Sequence, residues 1–253
     1  MNLWTQVWRS SLGKKYVMAV SGFVLLLFVV GHLAGNLQIF LPPHYLNHYA
    51  AFLQSNLEVI WPVRLVLLAL LVLHIVAAVQ LEVENKAARP TSYAQKEPGA
   101  ASFASRSMLL SGLMIGAFVV YHLLHYTAVV QAVNFTGVDF AKLVDPATGH
   151  RDVYAMTVYG FSKLPVSAFY LLAMGLLCLH LSHGTQSMFQ SLGWKNSYYS
   201  PLIAKAAWVL AVVLFLGYSS IPVGVLLGHG QDYLKQIESK VAVTQFPAGK
   251  EIK

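Results

Sequence analysis

Six histidines stand inside long apolar runs: His32, His74, His122, His125, His180 and His183. An ionisable side chain in hydrocarbon costs free energy, so each asks for a function or a satisfying partner. For any one alone, a neutral imidazole hydrogen-bonded to a neighbouring helix is an equally good account. Their spacing says more. His32 lies 17 residues beyond Lys15 and His122 lies 16 beyond Arg106; His74 lies 16 beyond Glu58 and His180 lies 17 beyond Lys163. At about 1.5 Å per residue, each sits roughly 25 Å along a helix that crosses a ~30 Å core. With successive helices alternating in direction, His32 and His122 share one depth and His74 and His180 the other. Four helices thus supply two histidines at each of two depths, the layout needed to clamp one flat ligand per depth from both faces. Haem b suits that layout: its iron takes an imidazole from each side, and its apolar macrocycle needs no thiolate. Bis-imidazole iron has no open position, so the chemistry is electron transfer and not oxygen binding.

His125 and His183 follow His122 and His180 by one helical turn, so either member of each pair is a candidate ligand. Register with the first span favours His122, and depth favours His180. His125 and His183 then support the ligands or the haem propionates. An internal repeat carries the register: SGFVLLLFVVGHLAGN at 21–36 and SGLMIGAFVVYHLLHY at 111–126 share Ser, Gly, Phe, Val, Val, His and Leu in identical positions. Ser21 shares a helical face with His32, and Ser111 with His122, about three turns away. Small residues there, with Gly22 and Gly112 beside them, admit a bulky ring or a neighbouring helix.

The elements that must position these histidines are helices. The chain has 253 residues, 57% hydrophobic and 11% charged, with a mean hydropathy of +0.58, against roughly 25% charged in soluble domains. Five stretches are long enough to span a bilayer, at about 16–40, 60–82, 108–131, 164–184 and 202–228. The expected fold is an all-α integral membrane protein in which one membrane domain, 1–253, bundles five helices around two haems. The first span is longer than a signal peptide's apolar region and no small-residue cleavage site follows it, so it is expected in the mature protein. Pro62 and Pro165 are placed at helix starts and Pro201 just before one. The connections are read as loops and the C-terminal residues as a polar tail.

Cys178 is the lone cysteine, which excludes internal disulfides and leaves no cysteine set for zinc or iron–sulfur clusters. The net charge of +7 is spread without basic, aromatic-interleaved blocks, so nucleic acid is not an expected partner. Instead the basic residues read as topology signals. Arg9, Lys14, Lys15, Lys86, Arg89, Lys96, Arg106, Lys195 and Lys205 flank one side, and Arg64, Lys142, Arg151 and Lys163 the other. The N-terminus is therefore expected in the cytoplasm.

The order and spacing of SGFVLLLFVVGHL, LLVLHIVAAVQL, SGLMIGAFVVYHLLHYT and LHLSHGTQSMFQSLGW resemble the cytochrome b558 membrane-anchor subunit of succinate dehydrogenases and fumarate reductases, the five-helix di-haem type. The resemblance spans residues from about 10 to 228. It implies four haem ligands at His32, His74, His122 and His180, with His74 and His180 at the cytoplasmic-side (proximal) haem and His32 and His122 at the distal one. It also implies a flavoprotein and an iron–sulfur protein as partner subunits, a quinone, more commonly menaquinone, as exchangeable substrate, a dimer of complexes, and a bacterial inner membrane. Nothing in this chain suits dicarboxylate chemistry, so the chain is expected to act as a subunit of a succinate:quinone oxidoreductase. Glu58, Arg64, Asn36 and Gln38, polar residues near the distal side, are the quinone candidates, although a solvated loop acid is the plainer account of Glu58. Two rivals remain: the di-haem cytochrome b subunit of respiratory nitrate reductase, which places its ligands unevenly among helices, and a haem-free structural anchor or proton carrier.

Overall fold

A computed structural model describes residues 2–88 and 107–245. Of the basic residues counted for topology, Arg89, Lys96 and Arg106 lie outside the described residues. The helices are α1 Leu3–Arg9, α2 Ser11–Asn36, α3 Pro43–Ser55, α4 Leu57–Ala87, α5 Met108–His122, α6 Gln131–Asn134, α7 Val153–Phe161, α8 Leu164–Ser191, α9 Ser200–Leu226 and α10 Gln231–Gln245. A 3₁₀ turn, Leu37–Phe40, prolongs α2, and a π turn, Leu123–Thr127, prolongs α5. Among the described residues the only sheet-like pairing is an isolated bridge between Val144 and Arg151. The protein is all-helical, and five of its helices are long and apolar enough to cross a membrane: Ser11–Phe40, Leu57–Ala87, Met108–Thr127, Leu164–Ser191 and Ser200–Leu226.

The ends of these spans differ from the sequence expectation for identifiable reasons. The first begins at Ser11, before the basic pair, because Lys14 is buried and its ammonium is neutralised by Glu84 of α4. α4 in turn begins at Leu57, on the Asn56 carbonyl, which leaves Pro62 inside the helix and not at its start. The third span ends at Thr127, four residues short of 131, and Val129 follows with a left-handed φ of 49°. α8 runs on to Ser191, past the expected 184, because its polar residues fold back onto the helix: Gln186 donates to the Ser182 carbonyl at 2.7 Å. Gly193, with φ 77°, ends it. α9 shifts by two residues at each end.

The chain divides into two compact units. The first comprises Met1–Ala34, Asn56–Val120 and Leu172–Gly217. Its contacts rest on small residues, Ala19, Ala77, Ala207 and Ala211, all buried, as expected where helices associate without a hydrophobic driving force. A Cβ on Gly217 would come within 2.7 Å of Leu33 Cδ2, so this glycine lets α9 approach α2. Much of α4, including Leu65, Val66, Leu68, Val72 and Val76, is exposed, a face suited to lipid.

The second unit, Gly35–Ser55, Tyr121–Leu171 and Tyr218–Lys253, contains four helices outside the spans among the described residues, the short α6 and the longer α3, α7 and α10, the last three falling where the sequence suggests loops and a tail. α3 buries Leu46, Asn47, Ala50 and Ala51, one stripe at helical spacing. α7 starts on Asp152, whose side chain caps the Ala155 N–H at 2.9 Å. The same carboxylate accepts from Asn47 Nδ2 at 2.9 Å and from the Tyr233 hydroxyl of α10 at 2.8 Å. A nearly dry carboxylate is tolerated there because every donor around it is spent on it.

Asp152→Ala orphans those three donors and should cost about 2 to 4 kcal/mol, read as faster tryptic cleavage of α10 at Lys235 at neutral pH; unchanged cleavage contradicts this account. The same cap should be alkali-sensitive. Burial, then the hydrogen bond to Glu238, pushes the Tyr159 phenol up to about 12. Burial and the Asp152 charge raise Tyr154, and burial and the Asp152 hydrogen bond raise Tyr233. A raised folded-state value means stability that is complete below the ordinary tyrosine value of about 10 and lost as pH climbs through the folded one. Near-ultraviolet circular dichroism of the cap tyrosines should hold steady at neutral pH and collapse as pH rises from about 10 towards 12.

Candidate functional site

Within the first unit the imidazoles of His74, on α4, and His180, on α8, face one another with ring centroids 6.4 Å apart and planes at 64°. Each ring is held by the Nδ1 edge. His74 Nδ1 lies 3.1 Å from the Met18 carbonyl oxygen and 3.2 Å from Ser21 Oγ. A carbonyl only accepts, so that nitrogen carries the hydrogen. Ser21 donates its own hydroxyl hydrogen back to the Val17 carbonyl at 2.6 Å and therefore also accepts from the ring. The arrangement recurs on α5: Ser111 donates to the Met108 carbonyl at 3.1 Å and accepts from His180 Nδ1 at 3.4 Å. A neutral imidazole protonated at Nδ1 keeps its lone pair at Nε2. Both rings are thereby set to accept, or to ligate a metal, through Nε2.

The glycines after the serines make the approach possible. A Cβ at Gly22 would lie 3.1 Å from His74 Cε1, and one at Gly112 3.2 Å from His180 Cε1, so each ring rests against bare backbone. The repeat is accordingly longer than its serine. Met18 and Met108 stand three residues before Ser21 and Ser111, and their carbonyls do the work of acceptors. Ser21 does share a face with His32, but eleven residues place them about 16 Å apart along the axis, and the ring that Ser21 touches is His74. Of the two α8 candidates, His180 joins His74, whereas His183 Nε2 pairs with Ser187 Oγ at 3.0 Å, one turn further on. An apolar recess of about 310 Å³, lined by Tyr16, Val17, Val20, Leu70 and Leu73, borders Ser21.

In the second unit Tyr170, on α8, reaches both remaining α5 candidates: its hydroxyl is 3.2 Å from His122 Nδ1 and 3.2 Å from His125 Nδ1. The π turn places His125 so that both rings meet one oxygen. One hydroxyl oxygen is thus shared by the Nδ1 edges of both rings. His125 is 0% exposed, with Tyr126 and Phe140 against its ring at 4.0 and 5.8 Å and its Cε1 and Nε2 each 3.1 Å from where a Gly160 Cβ would stand. It has no room for a ligand, whereas His122 is half-buried.

The other sequence candidates are placed as follows. His32 belongs to the first unit, half-buried and stacked on Phe28 at 5.3 Å and 17°. Glu58 and Arg64, also in that unit, are exposed, and the Arg64 guanidinium lies 5.4 Å over the Trp61 ring. Asn36 and Gln38, in the second unit, are half-buried at the end of α2 and in the turn after it. Tyr170, Met18 and Met108 were missed from sequence. The methionine repeat was visible ninety residues apart; nothing in a lone tyrosine announced Tyr170.

The fold and this duplicated seat define an all-helical protein with candidate membrane spans and paired intramembrane histidines. No family model matches the chain, and no curated protein or solved structure does either.

Nitrogen NMR of imidazole-labelled, haem-free protein should report His74 and His180 as protonated at Nδ1 with a bare Nε2. Ser111→Ala should loosen His180 more than Ser21→Ala loosens His74, whose Met18 carbonyl lies closer than its serine. An Nε2–H signal from either wild-type ring contradicts the assignment.

Proposed function

We propose that this chain is the di-haem cytochrome b membrane anchor of a succinate dehydrogenase or fumarate reductase, passing electrons between an iron–sulfur subunit and a membrane quinone. The observation that carries the reading is the paired His74 and His180 seat. Imidazole nitrogens bond first-row metals at about 2 Å, and a ring nitrogen lies about 1 Å from its centroid, so a metal held linearly between two rings sets the centroids roughly 6 Å apart. The observed 6.4 Å fits. So do the donor set, two neutral imidazoles with Nε2 bare, and the apolar walls. The residues present therefore suit a bis-imidazole haem b, held by His74 and His180. His32 and His122 are the proposed ligands of the second.

When bound, such haems supply reversible one-electron transfer. This chain's own residues do the rest. Ser21, Ser111 and the Met18 and Met108 carbonyls lock each ring's tautomer and orientation and strengthen its donor nitrogen. Tyr170 orients the His122 ring through its Nδ1 edge. Gly22 and Gly112 bring the rings against the backbone, which fixes their distance from each other. The apolar helix faces keep water from the site. With no side-chain set suited to dicarboxylate chemistry, the chain acts as a subunit. Its partners are a flavoprotein and an iron–sulfur protein, its quinone is menaquinone, its unit of assembly is a dimer of complexes, and its place is the bacterial inner membrane with the N-terminus in the cytoplasm. Glu58, Arg64, Asn36 and Gln38 remain the residues proposed to meet the quinone.

Leucine substitution of His74 or His180 should each remove the same single haem, and substitution of His32 or His122 the other, as followed by haem stoichiometry and redox titration. Loss of different haems within a pair refutes the pairing. Ser21→Ala and Ser111→Ala should retain both haems but bind the proximal one about 10- to 100-fold more weakly. Isolation of the untreated complex should bring down a subunit with covalent flavin; its absence counts against the succinate or fumarate assignment while leaving the haem result intact.

A further inference from the structure

α3 carries a second histidine pair that the haem reading does not use. His44 and His48 are four residues apart, hence one turn apart on the same face, and both are exposed. Their ring centroids are 6.2 Å apart with planes at 77°. The opposite face of α3 is anchored: Leu46, Asn47, Ala50 and Ala51 are buried, and Asn47 bonds the Asp152 carboxylate and the Tyr154 N–H. The backbone presenting the two imidazoles is therefore anchored, the rings stand on its exposed side, and the His44 ring lies 4.3 Å from that of Tyr45. α3 also lies outside the candidate spans.

From these observations we propose that His44 and His48 form a surface site for a divalent transition-metal ion. Two imidazoles binding one ion at a tetrahedral or square angle have centroids about 5 Å apart, so a rotation of exposed side chains by roughly 1 Å closes the pair on a common ion. The His–x–x–x–His spacing on a helix is the one that brings two imidazoles to a single metal. His44 also borders a recess of about 520 Å³ whose lining includes Tyr154, Asp232, Tyr233 and Gln236. The Asp232 side chain is 91% exposed, an acidic group on the same recess. Among the described residues no three histidine, cysteine or carboxylate groups converge as a closed cage. The site therefore takes two protein nitrogens and completes its coordination with water. Such a site ranks its ions by intrinsic affinity, Cu²⁺ ahead of Ni²⁺ and Zn²⁺. Because protonated imidazole cannot ligate, acid releases the ion.

The test uses the untagged full-length protein in detergent, titrated with Cu²⁺ and followed by electron paramagnetic resonance. One Cu²⁺ per chain with two-nitrogen coupling is expected, displaced by acid and competed by Ni²⁺ or Zn²⁺ only at higher concentration. His44→Gln and His48→Gln should each weaken binding at least roughly tenfold, with helical circular dichroism and haem content unchanged. His150→Gln, a histidine whose Nε2 lies 3.1 Å from Ser55 Oγ, serves as the control and should not change it. Undiminished two-nitrogen binding in the His44→Gln/His48→Gln double variant overturns the proposal, as does a failure of the wild type to bind Cu²⁺. Either result leaves the haem reading untouched, since the two sites share no residue.

Discussion

An imidazole inside hydrocarbon has two nitrogens to satisfy and no water with which to do it. Neutral, it must donate from one and accept at the other, and an unmet group there costs several kcal/mol by general experience of buried polar atoms. The first unit meets half of that demand with unusual economy. A serine whose own hydrogen is turned back onto its helix offers only a lone pair, and a methionine carbonyl offers another. The ring is thereby obliged to donate from Nδ1 and to leave Nε2 bare. Each ring is left with its Nε2 lone pair as the acceptor, and the two rings lie at a centroid separation of 6.4 Å, a spacing that a metal ion between them would suit. The helix pairings α2 with α4 and α5 with α8 follow from the same need, because each serine–glycine seat lies on one helix and its ring on another.

In the second unit one hydroxyl, that of Tyr170, meets the Nδ1 edge of both His122 and His125. His125, enclosed by Tyr126, Phe140 and Gly160, keeps its Nε2 buried with no hydrogen-bond partner among the described residues, while His122 is half-buried. Beyond the spans, the Asp152 carboxylate plays the organising part for α3, α7 and α10 that the serines play for the rings. It gathers Asn47, the Ala155 N–H and Tyr233 around one buried charge. The anchored α3 that results is also the platform for His44 and His48.

How much of this was legible beforehand differs by element. The five spans were visible as apolar runs, since a hydrocarbon core demands length and composition that few other settings do. Their ends were less so. The ion pair between Lys14 and Glu84, 70 residues apart, lets α2 start before the basic residues, and no local pattern encodes a partner that distant. Polar Thr185, Gln186 and Ser187 read as a connection, yet Gln186 is carried on in α8 by a bond to its own helix. The short helices α3, α7 and α10 were passed over as loops and tail, although Leu46, Ala50 and their neighbours had the helical stripe. For the site, depth arithmetic already set His74 against His180, and in the structure their ring centroids lie 6.4 Å apart with planes at 64°. The repeat was seen too, but its serine was linked to the histidine on its own helix when its partner is on the next one. Which histidine of 122 and 125 is enclosed depends on Phe140 and Gly160, from elsewhere in the chain, and was open until the packing was known.

The central claim is that the bare imidazole nitrogens hold haem iron. The most direct measurement is a reduced-minus-oxidised optical spectrum of the isolated chain in detergent, without added haem. The account predicts the α-band of a six-coordinate b-type cytochrome, at an intensity corresponding to two haems per chain. A flat difference spectrum from intact, membrane-derived protein would contradict it and leave the histidine pairs as structural hydrogen-bonding groups alone.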